Sequence, residues 1–284
     1  MKQEFRYSYN VIGFQGEDVA ESIDRLARLG YDAVEVEGEP EKHDPKRVKK
    51  LAEEAGLAVG SVCPNFTADR DLSHPEGGVR NAALTYLREV SEFTAELEAP
   101  LFIVAPTAYS RVKPAAEPRE EWLWAVEGTR KVGEHAASLG VDLTLECWNR
   151  YGTYMLNRLD EGARMWLETG LTNGGIMADT FHMNVEERSI SGTIRDFAHL
   201  LNHVHLSDSN RLAPGLGHID FTDVLQALRD VEYRGGLAFE LIPTLPNVWE
   251  EPDLTSLDDV AKQAINHMRE VERLAYGQRE MHQG

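Results

Sequence analysis

The sequence has 284 residues and carries 48 acidic against 29 basic side chains, a formal net charge of −19 at pH 7. A charge of this sign repels a phosphate backbone and argues against nucleic-acid binding as the general function. No apolar run approaches the roughly 20 residues that cross a bilayer, and the N-terminal residues lack the apolar segment of a signal peptide, so we expect a soluble, cytoplasmic protein without a membrane partner.

Apolar, β-branched runs alternate with longer amphipathic stretches along the whole chain. This pattern indicates repeated βα units and hence a parallel sheet. The strands are predicted near residues 5–11, 33–37, 58–63, 101–105, 142–146, 175–179, 203–206 and 236–241. The helices are predicted near residues 17–29, 45–55, 78–98, 120–139, 159–169, 190–200, 221–231 and 257–275.

The number of these units predicts how the sheet is arranged. Eight alternating units with no strand left over favour a closed barrel, and no Gly-x-Gly-x-x-Gly motif follows the first strand as in an open dinucleotide-binding sheet. We therefore predict an α/β fold, a single (β/α)₈ TIM barrel over residues 1–284. A polar tail from about residue 277 is expected to be frayed.

Four of the predicted strands end in a polar side chain. Three of these ends are acids, Glu146, Asp179 and Glu240, and the fourth is His205. Catalytic groups of such barrels lie at the C-terminal ends of the strands, so these side chains should converge. Three carboxylates and one imidazole suit Mn²⁺, Mg²⁺ or Co²⁺ better than structural zinc. The sequence therefore predicts a divalent-metal site.

Ion pairs are the alternative explanation for these acids. For any one acid taken alone, pairing with an arginine is as good an explanation as metal binding. The arginines that could serve are Arg150, Arg158, Arg211 and Arg234. The coincidence of four polar strand ends favours the metal site.

Side chains along a barrel strand point alternately to the inside and the outside of the barrel. This alternation predicts the directions of the residues next to the four strand-end residues. His203 shares a face with His205 but lies one layer deeper, and we predict a hydrogen-bonded structural role for it. If Glu146 points inward, Cys147 points outward. Cys63 and Cys147 are too few for a disulfide framework, and we expect both to be reduced and buried.

Several motifs, taken together, resemble a known family over the whole chain. They are Glu146-Cys-Trp-Asn-Arg-Tyr with Leu156-Asn157, Asp179-Thr-Phe-His-Met-Asn-Val-Glu-Glu187, His205 with Asn210-Arg-Leu-Ala-Pro-Gly-Leu-Gly217, and Glu240. In these motifs the chain resembles the xylose-isomerase-like sugar isomerase/epimerase barrels, most closely the ketose 3-epimerases of the D-tagatose and D-psicose type.

The resemblance implies roles for individual residues. It implies that Glu146, Asp179, His205 and Glu240 hold one divalent metal ion, for which Mn²⁺ is the first candidate. It also makes Glu146 and Glu240 the acid/base pair, and it assigns His182 and Arg211 to the carbonyl end and nearby hydroxyls of the substrate. The family usually has an acidic residue where this chain has Gly152.

We accordingly expect a metal-dependent isomerase or epimerase of an unphosphorylated ketose or related polyol. It would remove a proton next to a carbonyl and form an enediolate. A homo-oligomer, dimer or tetramer, is expected. The alternative is a lyase of the same barrel family, such as the metal-containing subunit of a C-glycoside deglycosidase, which needs a second kind of subunit, or an inosose dehydratase.

Three further features are candidates for substrate contact. Trp148 could stack on a sugar ring or close the pocket. Glu37, at the end of the second strand, could reach a sugar hydroxyl or could equally be a solvated acid at the rim. The proline-broken loop at residues 242–254 could be a lid or an oligomer contact.

Overall fold

The eight predicted strands form and close into a parallel barrel. The computed structural model describes residues 5–14, 16–242 and 257–280, with side chains as far as residue 275. The strands are β1 Tyr7–Asn10, β2 Ala33–Glu37, β3 Ala58–Cys63, β4 Leu101–Val104, β5 Asp142–Leu145, β6 Gly174–Asp179, β7 Leu201–Leu206 and β8 Gly236–Phe239. Each pairs with the next in chain order, and β1 pairs with β8, which confirms the (β/α)₈ barrel.

Helices connect the strands, and all eight predicted helices are present. They are α1 Val19–Leu29, α2 Pro45–Ala55, α3 Gly77–Glu96, α4 Pro118–Ser138, α5 Leu159–Thr169, α7 Ile190–Asp196, α8 Phe221–Asp230 and α9 Leu257–Glu280. Two elements were not predicted: a 3₁₀ turn at Val11–Phe14 and the short helix α6 at Thr180–Glu186. Helix α6 begins directly after β6 because the Asp179 carboxylate accepts hydrogen bonds from the backbone N–H groups of Phe181 and His182.

The helix ends show why the predicted boundaries are close to the observed ones. Asp44 and Asp220 cap the starts of α2 and α8 by accepting backbone hydrogen bonds with their side chains. Gly30 ends α1 in the left-handed conformation, with φ of 79°, which only glycine adopts without strain. Caps and closing glycines are local signals, so the local sequence is enough to predict where these helices begin and end.

The two cysteines are buried as predicted, and Cys147 confirms the predicted alternation of side chains. Both are free and buried. Cys147 packs on the helix layer, where a Cβ atom added to Gly162 of α5 would lie 2.6 Å from its Sγ atom. Cys63 packs in a separate apolar group with Ile103 and Met177. Cys147 therefore faces outward while the preceding Glu146 faces the interior.

Two predictions concern the ends of the described ranges. Apart from Ile242, the loop at residues 242–254 lies outside the described residues. Helix α9 continues to Glu280 and residues 281–284 lie outside the description, so the frayed tail stays a prediction. None of the described helices combines the length and apolar character that a membrane span requires.

Candidate active site

The four polar strand ends predicted from the sequence meet at the mouth of the barrel. Glu146 directly follows β5, Asp179 ends β6, His205 is the penultimate residue of β7, and Glu240 directly follows β8. One ligand atom of each residue lies within 4.8 Å of the corresponding atoms of the other three. The barrel thus gathers residues that are 94 positions apart in the sequence, from Glu146 to Glu240, into one cluster.

The donor set of this cluster fits a divalent cation. His205 Nδ1 lies 3.2 Å from Glu240 Oε2, 3.8 Å from Asp179 Oδ2 and 3.9 Å from Glu146 Oε1. Glu146 Oε1 is buried and has no hydrogen-bond partner among the described residues. A buried carboxylate oxygen without a partner is costly, and a cation in the midst of the cluster would satisfy it. Oxygen ligands with one imidazole suit a hard divalent ion.

The protonation equilibria of the acids differ strongly. Burial and the neighbouring Glu240 carboxylate raise the pKa of Glu146 to about 8. Burial opposes ionisation of Asp179 and Glu240 as well, but the Arg211 guanidinium holds the pKa of each below its usual range. The site therefore contains two carboxyl groups, Glu146 and Glu240, whose pKa values are shifted in opposite directions, as in an acid/base pair.

Arg211 is the cation responsible for this difference. Its Nη1 atom donates to Asp179 Oδ2 at 2.7 Å and to Ser207 Oγ at 3.1 Å, and its Nη2 atom donates to Glu240. The guanidinium carbon lies 4.7 Å from the centre of the Phe181 ring. Ion pairing with an arginine, the alternative explanation of the strand-end acids, thus holds for Asp179 and Glu240, and it leaves Glu146 unpaired.

The loop that carries Arg211 is organised by Asp208, which is not among the residues predicted for the site. The Asp208 carboxylate accepts backbone hydrogen bonds from Ser209, Gly215 and Ile219 at 2.7–3.1 Å. Arg211 itself has a φ of 63°, a conformation that non-glycine residues rarely adopt. An acid inside a glycine-rich turn was the available signal, because such a side chain can bind the N–H groups that the turn leaves unpaired.

His182 is a neutral hydrogen-bond donor that faces the cluster. Its Nδ1 atom accepts the backbone N–H of Asn149 at 3.0 Å, so the proton of the neutral ring is on Nε2. Nε2 lies 3.9 Å from Glu146 Oε1 and 3.8 Å from Asp179 Oδ2. Burial lowers the pKa of His182 to about 4, which keeps the ring uncharged at neutral pH.

A cavity of about 220 Å³ lies over the cluster. Its polar lining includes Glu146, His182, Arg211 and Glu240, and its apolar lining includes Phe66, Tyr109, Trp148 and Phe181. The Trp148 ring makes edge contacts with the rings of Phe66 and Tyr109, at centroid distances of 5.9 and 5.3 Å. One side of the cavity therefore offers hydrogen bonds and the other offers aromatic faces and edges.

Glu37 is not brought into this cavity. Its Oε1 atom accepts hydrogen bonds from Lys42 at 3.0 Å and from Asn65 at 2.9 Å, and its Oε2 atom lies 3.2 Å from His43 Nε2. It is not among the residues that line the cavity within the described part of the chain. This geometry agrees with the second alternative for Glu37, an acid at the rim of the barrel. Contact with a sugar hydroxyl stays a prediction.

Gly152, where the family that the chain resembles usually has an acid, lies in closely packed surroundings. A Cβ atom there would lie 3.1 Å from the Tyr109 ring and 3.2 Å from Trp148 Cβ. The backbone carbonyl of Gly152 accepts the N–H of Ser110, so the loops after β4 and β5 are joined at this point. A side chain at this position would require Tyr109 or Trp148 to shift by a few tenths of an ångström.

A closed (β/α)₈ barrel with paired acids, a neutral histidine and an arginine around one small cavity is an arrangement suited to acid/base chemistry. The family described as xylose isomerase-like TIM barrel matches residues 23–271, and the chain belongs to this family.

Comparison with known proteins indicates the class of reaction. The D-psicose 3-epimerase of Ruminiclostridium cellulolyticum is 29% identical over 88% of this chain and 90% of its own length. The ketose 3-epimerase of Arthrobacter globiformis is 31% identical over 80% and 78%. The structure of D-psicose 3-epimerase with D-tagatose from Clostridium cellulolyticum H10 has a TM-score of 0.86 at 27% identity, covering 94% of this chain and 99% of that one. The chain is therefore an enzyme of the sugar epimerase class, and the lyase alternative is not favoured.

Proposed function

We propose that this enzyme inverts the carbon next to the ketone of an unphosphorylated ketose or related polyol, in the manner of a ketose 3-epimerase. The observation that carries the proposal is the pair Glu146 and Glu240, two carboxyl groups that line one cavity from different strands. Inverting such a carbon requires one group to remove its proton and another to return a proton on the opposite face.

We also propose that Glu146, Asp179, His205 and Glu240 hold one divalent ion, Mn²⁺ being the first candidate. When bound, this ion supplies positive charge beside the oxygens on which negative charge develops when the proton leaves. The unpartnered Glu146 Oε1 and the approach of four ligand atoms within 4.8 Å support the site.

The two glutamates can divide the proton transfer between them. One glutamate accepts the proton that leaves the substrate carbon, and the other, when protonated, returns a proton on the opposite face. The reaction is reversible, so the roles exchange with the direction of turnover.

His182 and Arg211 are placed to hold the reacting end of the sugar. His182 presents its Nε2–H to the cavity as a neutral donor, and Arg211 presents a planar cation. A donor and a cation directed at the carbonyl oxygen stabilise the enediolate more than the ketone, because the enediolate carries the extra negative charge.

The charge of the cavity favours a sugar without a phosphate. Arg211 is the only lysine or arginine that lines it in the ranges described, and its guanidinium is already engaged by Asp179 and Glu240. A phosphate dianion would meet carboxylates and no free lysine or arginine among the lining residues described. We include in the proposal the homo-oligomer and the cytoplasmic location that are expected from the sequence.

Product analysis tests this function. The enzyme with Mn²⁺ is incubated with D-psicose or D-tagatose and, separately, with the 6-phosphate of the same sugar at one ionic strength. We expect the C3 epimer as product and a higher kcat/KM for the free sugar. An aldose product, loss of water, or a tenfold preference for the phosphate, roughly 1.4 kcal/mol, would each contradict the proposal.

A further inference from the structure

Glu35 is a carboxylate inside the barrel that the reaction itself does not use. It belongs to β2, is 0% exposed, and lies beneath the cluster of strand-end residues. Acids are rarely buried completely, because an ionised carboxylate loses its hydration and regains little unless it is paired. An apolar residue would fill this position in the barrel without that cost. The presence of an acid therefore indicates a specific role for its carboxylate.

The contacts of Glu35 show what it holds. Its Oε1 atom lies 2.8 Å from His205 Nε2, and its Oε2 atom lies 2.8 Å from His203 Nε2 and accepts the Ser61 hydroxyl at 2.6 Å. The carboxylate is therefore anchored from two sides through Oε2 while Oε1 is directed at His205. His203 has the hydrogen-bonded role predicted for it, and its function is to keep Glu35 in place.

The position of Glu35 gives the two ring nitrogens of His205 different surroundings. One nitrogen, Nε2, faces Glu35 below, and the other, Nδ1, faces Glu146, Asp179 and Glu240 above. An imidazole with an acceptor at Nε2 keeps its proton there and leaves the Nδ1 lone pair free. Without that acceptor, the His205 ring would lose the hydrogen bond at Nε2 that holds Nδ1 toward the three acids.

We infer that Glu35 is a positioning residue, which fixes the orientation and proton placement of His205 so that Nδ1 can bind the metal ion. The inference rests on the proposed metal site and adds a residue from the opposite side of the barrel to it. Carboxylate partners of a metal-bound histidine tune both its geometry and its basicity.

The test compares the affinity for Mn²⁺ alone, by calorimetric titration, in the parent enzyme and in Glu35→Gln. The amide keeps the shape of the side chain but has one acceptor oxygen for two imidazoles and a hydroxyl. We expect the affinity to fall roughly 10- to 100-fold. Glu37→Gln is the matched control: it makes the same change two residues further along β2, and its carboxylate contacts only Lys42, His43 and Asn65 among the residues described, so its metal affinity should match the parent.

A melting measurement without metal separates positioning from folding. A merely structural role would lower the metal-free Tm of Glu35→Gln but leave its Mn²⁺ affinity equal to the parent value, and that result would overturn the inference. If Glu35→Gln does not fold, Glu35→Asp provides the second variant, since it keeps the charge but withdraws the acceptor from His205; parent-like affinity would again overturn the inference. A parent enzyme that binds no divalent ion would instead refute the proposed metal site.

Discussion

Arg211 has two tasks at the residue scale. It pairs with Asp179 and Glu240, which keeps both ionised, and it lines the cavity where the sugar is proposed to bind. A planar guanidinium can do both, because its N–H groups point in several fixed directions, whereas an ammonium group is a point charge on a flexible stem. The shape of the cation, as well as its charge, should therefore matter.

Replacing Arg211 with lysine tests this point. The charge is retained, but the fork that spans Asp179 and the cavity is lost, so we expect kcat/KM to fall about 10²- to 10³-fold with the Mn²⁺ content unchanged. Steady-state kinetics with elemental analysis measure both quantities. Arg150→Lys is the control, because Arg150 is 64% exposed and pairs with Glu186 away from the cavity. Equal kcat/KM for Arg211→Lys and the parent would show that charge alone suffices.

At the scale of single elements, the loop after β7 depends on one close contact. Gly217 approaches Asp208 so closely that an added Cβ atom would lie 2.2 Å from Asp208 Oδ1 and 2.4 Å from Ser209 Oγ. Asp208 in turn binds the backbone that places Arg211. The position of Arg211 in the cavity therefore depends on the close contact between Gly217 and Asp208.

Substitution of Gly217 by alanine should displace this loop. We expect the free energy of unfolding to fall by about 1–3 kcal/mol from the overpacking. We also expect kcat/KM to fall about 10²-fold, because small displacements of positioning groups are costly. Denaturant titration and kinetics measure the two effects. Gly78→Ala in α3, where an added Cβ meets nothing within 4 Å, is the control and should be neutral or slightly stabilising. Parent-like kinetics in Gly217→Ala would mean that the loop does not set the position of Arg211.

Local patterns explain which elements were predictable. Strand and helix boundaries depend on periodicity, caps and glycines that lie within a few residues of each other. Helix α6 is not predicted because Asp179 has two roles: it ends strand β6 and also caps the helix that follows directly. The φ of 63° at Arg211 depends on the folded loop, and no local pattern predicts it.

At the scale of the whole molecule, the site exists only when the barrel is closed. The ends of β5, β6, β7 and β8 could be predicted to converge, because parallel barrels collect their strand ends at one face. Glu35 could not be assigned in this way: its bonds to His203 and His205 span 168 and 170 residues and depend on which side chains meet across the barrel interior. The distinction between Glu37 at the rim and Glu35 in the centre likewise needs the closed structure.

The central claim is that Glu146 and Glu240 exchange protons with opposite faces of one carbon. The most direct measurement is deuterium incorporation from D₂O at C3 of a free ketohexose, by the parent enzyme and by Glu146→Gln and Glu240→Gln, each loaded with metal and checked for metal content. Glu127→Gln, on the exposed face of α4 with a side-chain exposure of 53%, is the control. We predict that the parent and the control incorporate deuterium and that each cavity variant loses about 10²- to 10⁴-fold in rate. Exchange at the parent rate in either cavity variant would contradict the account.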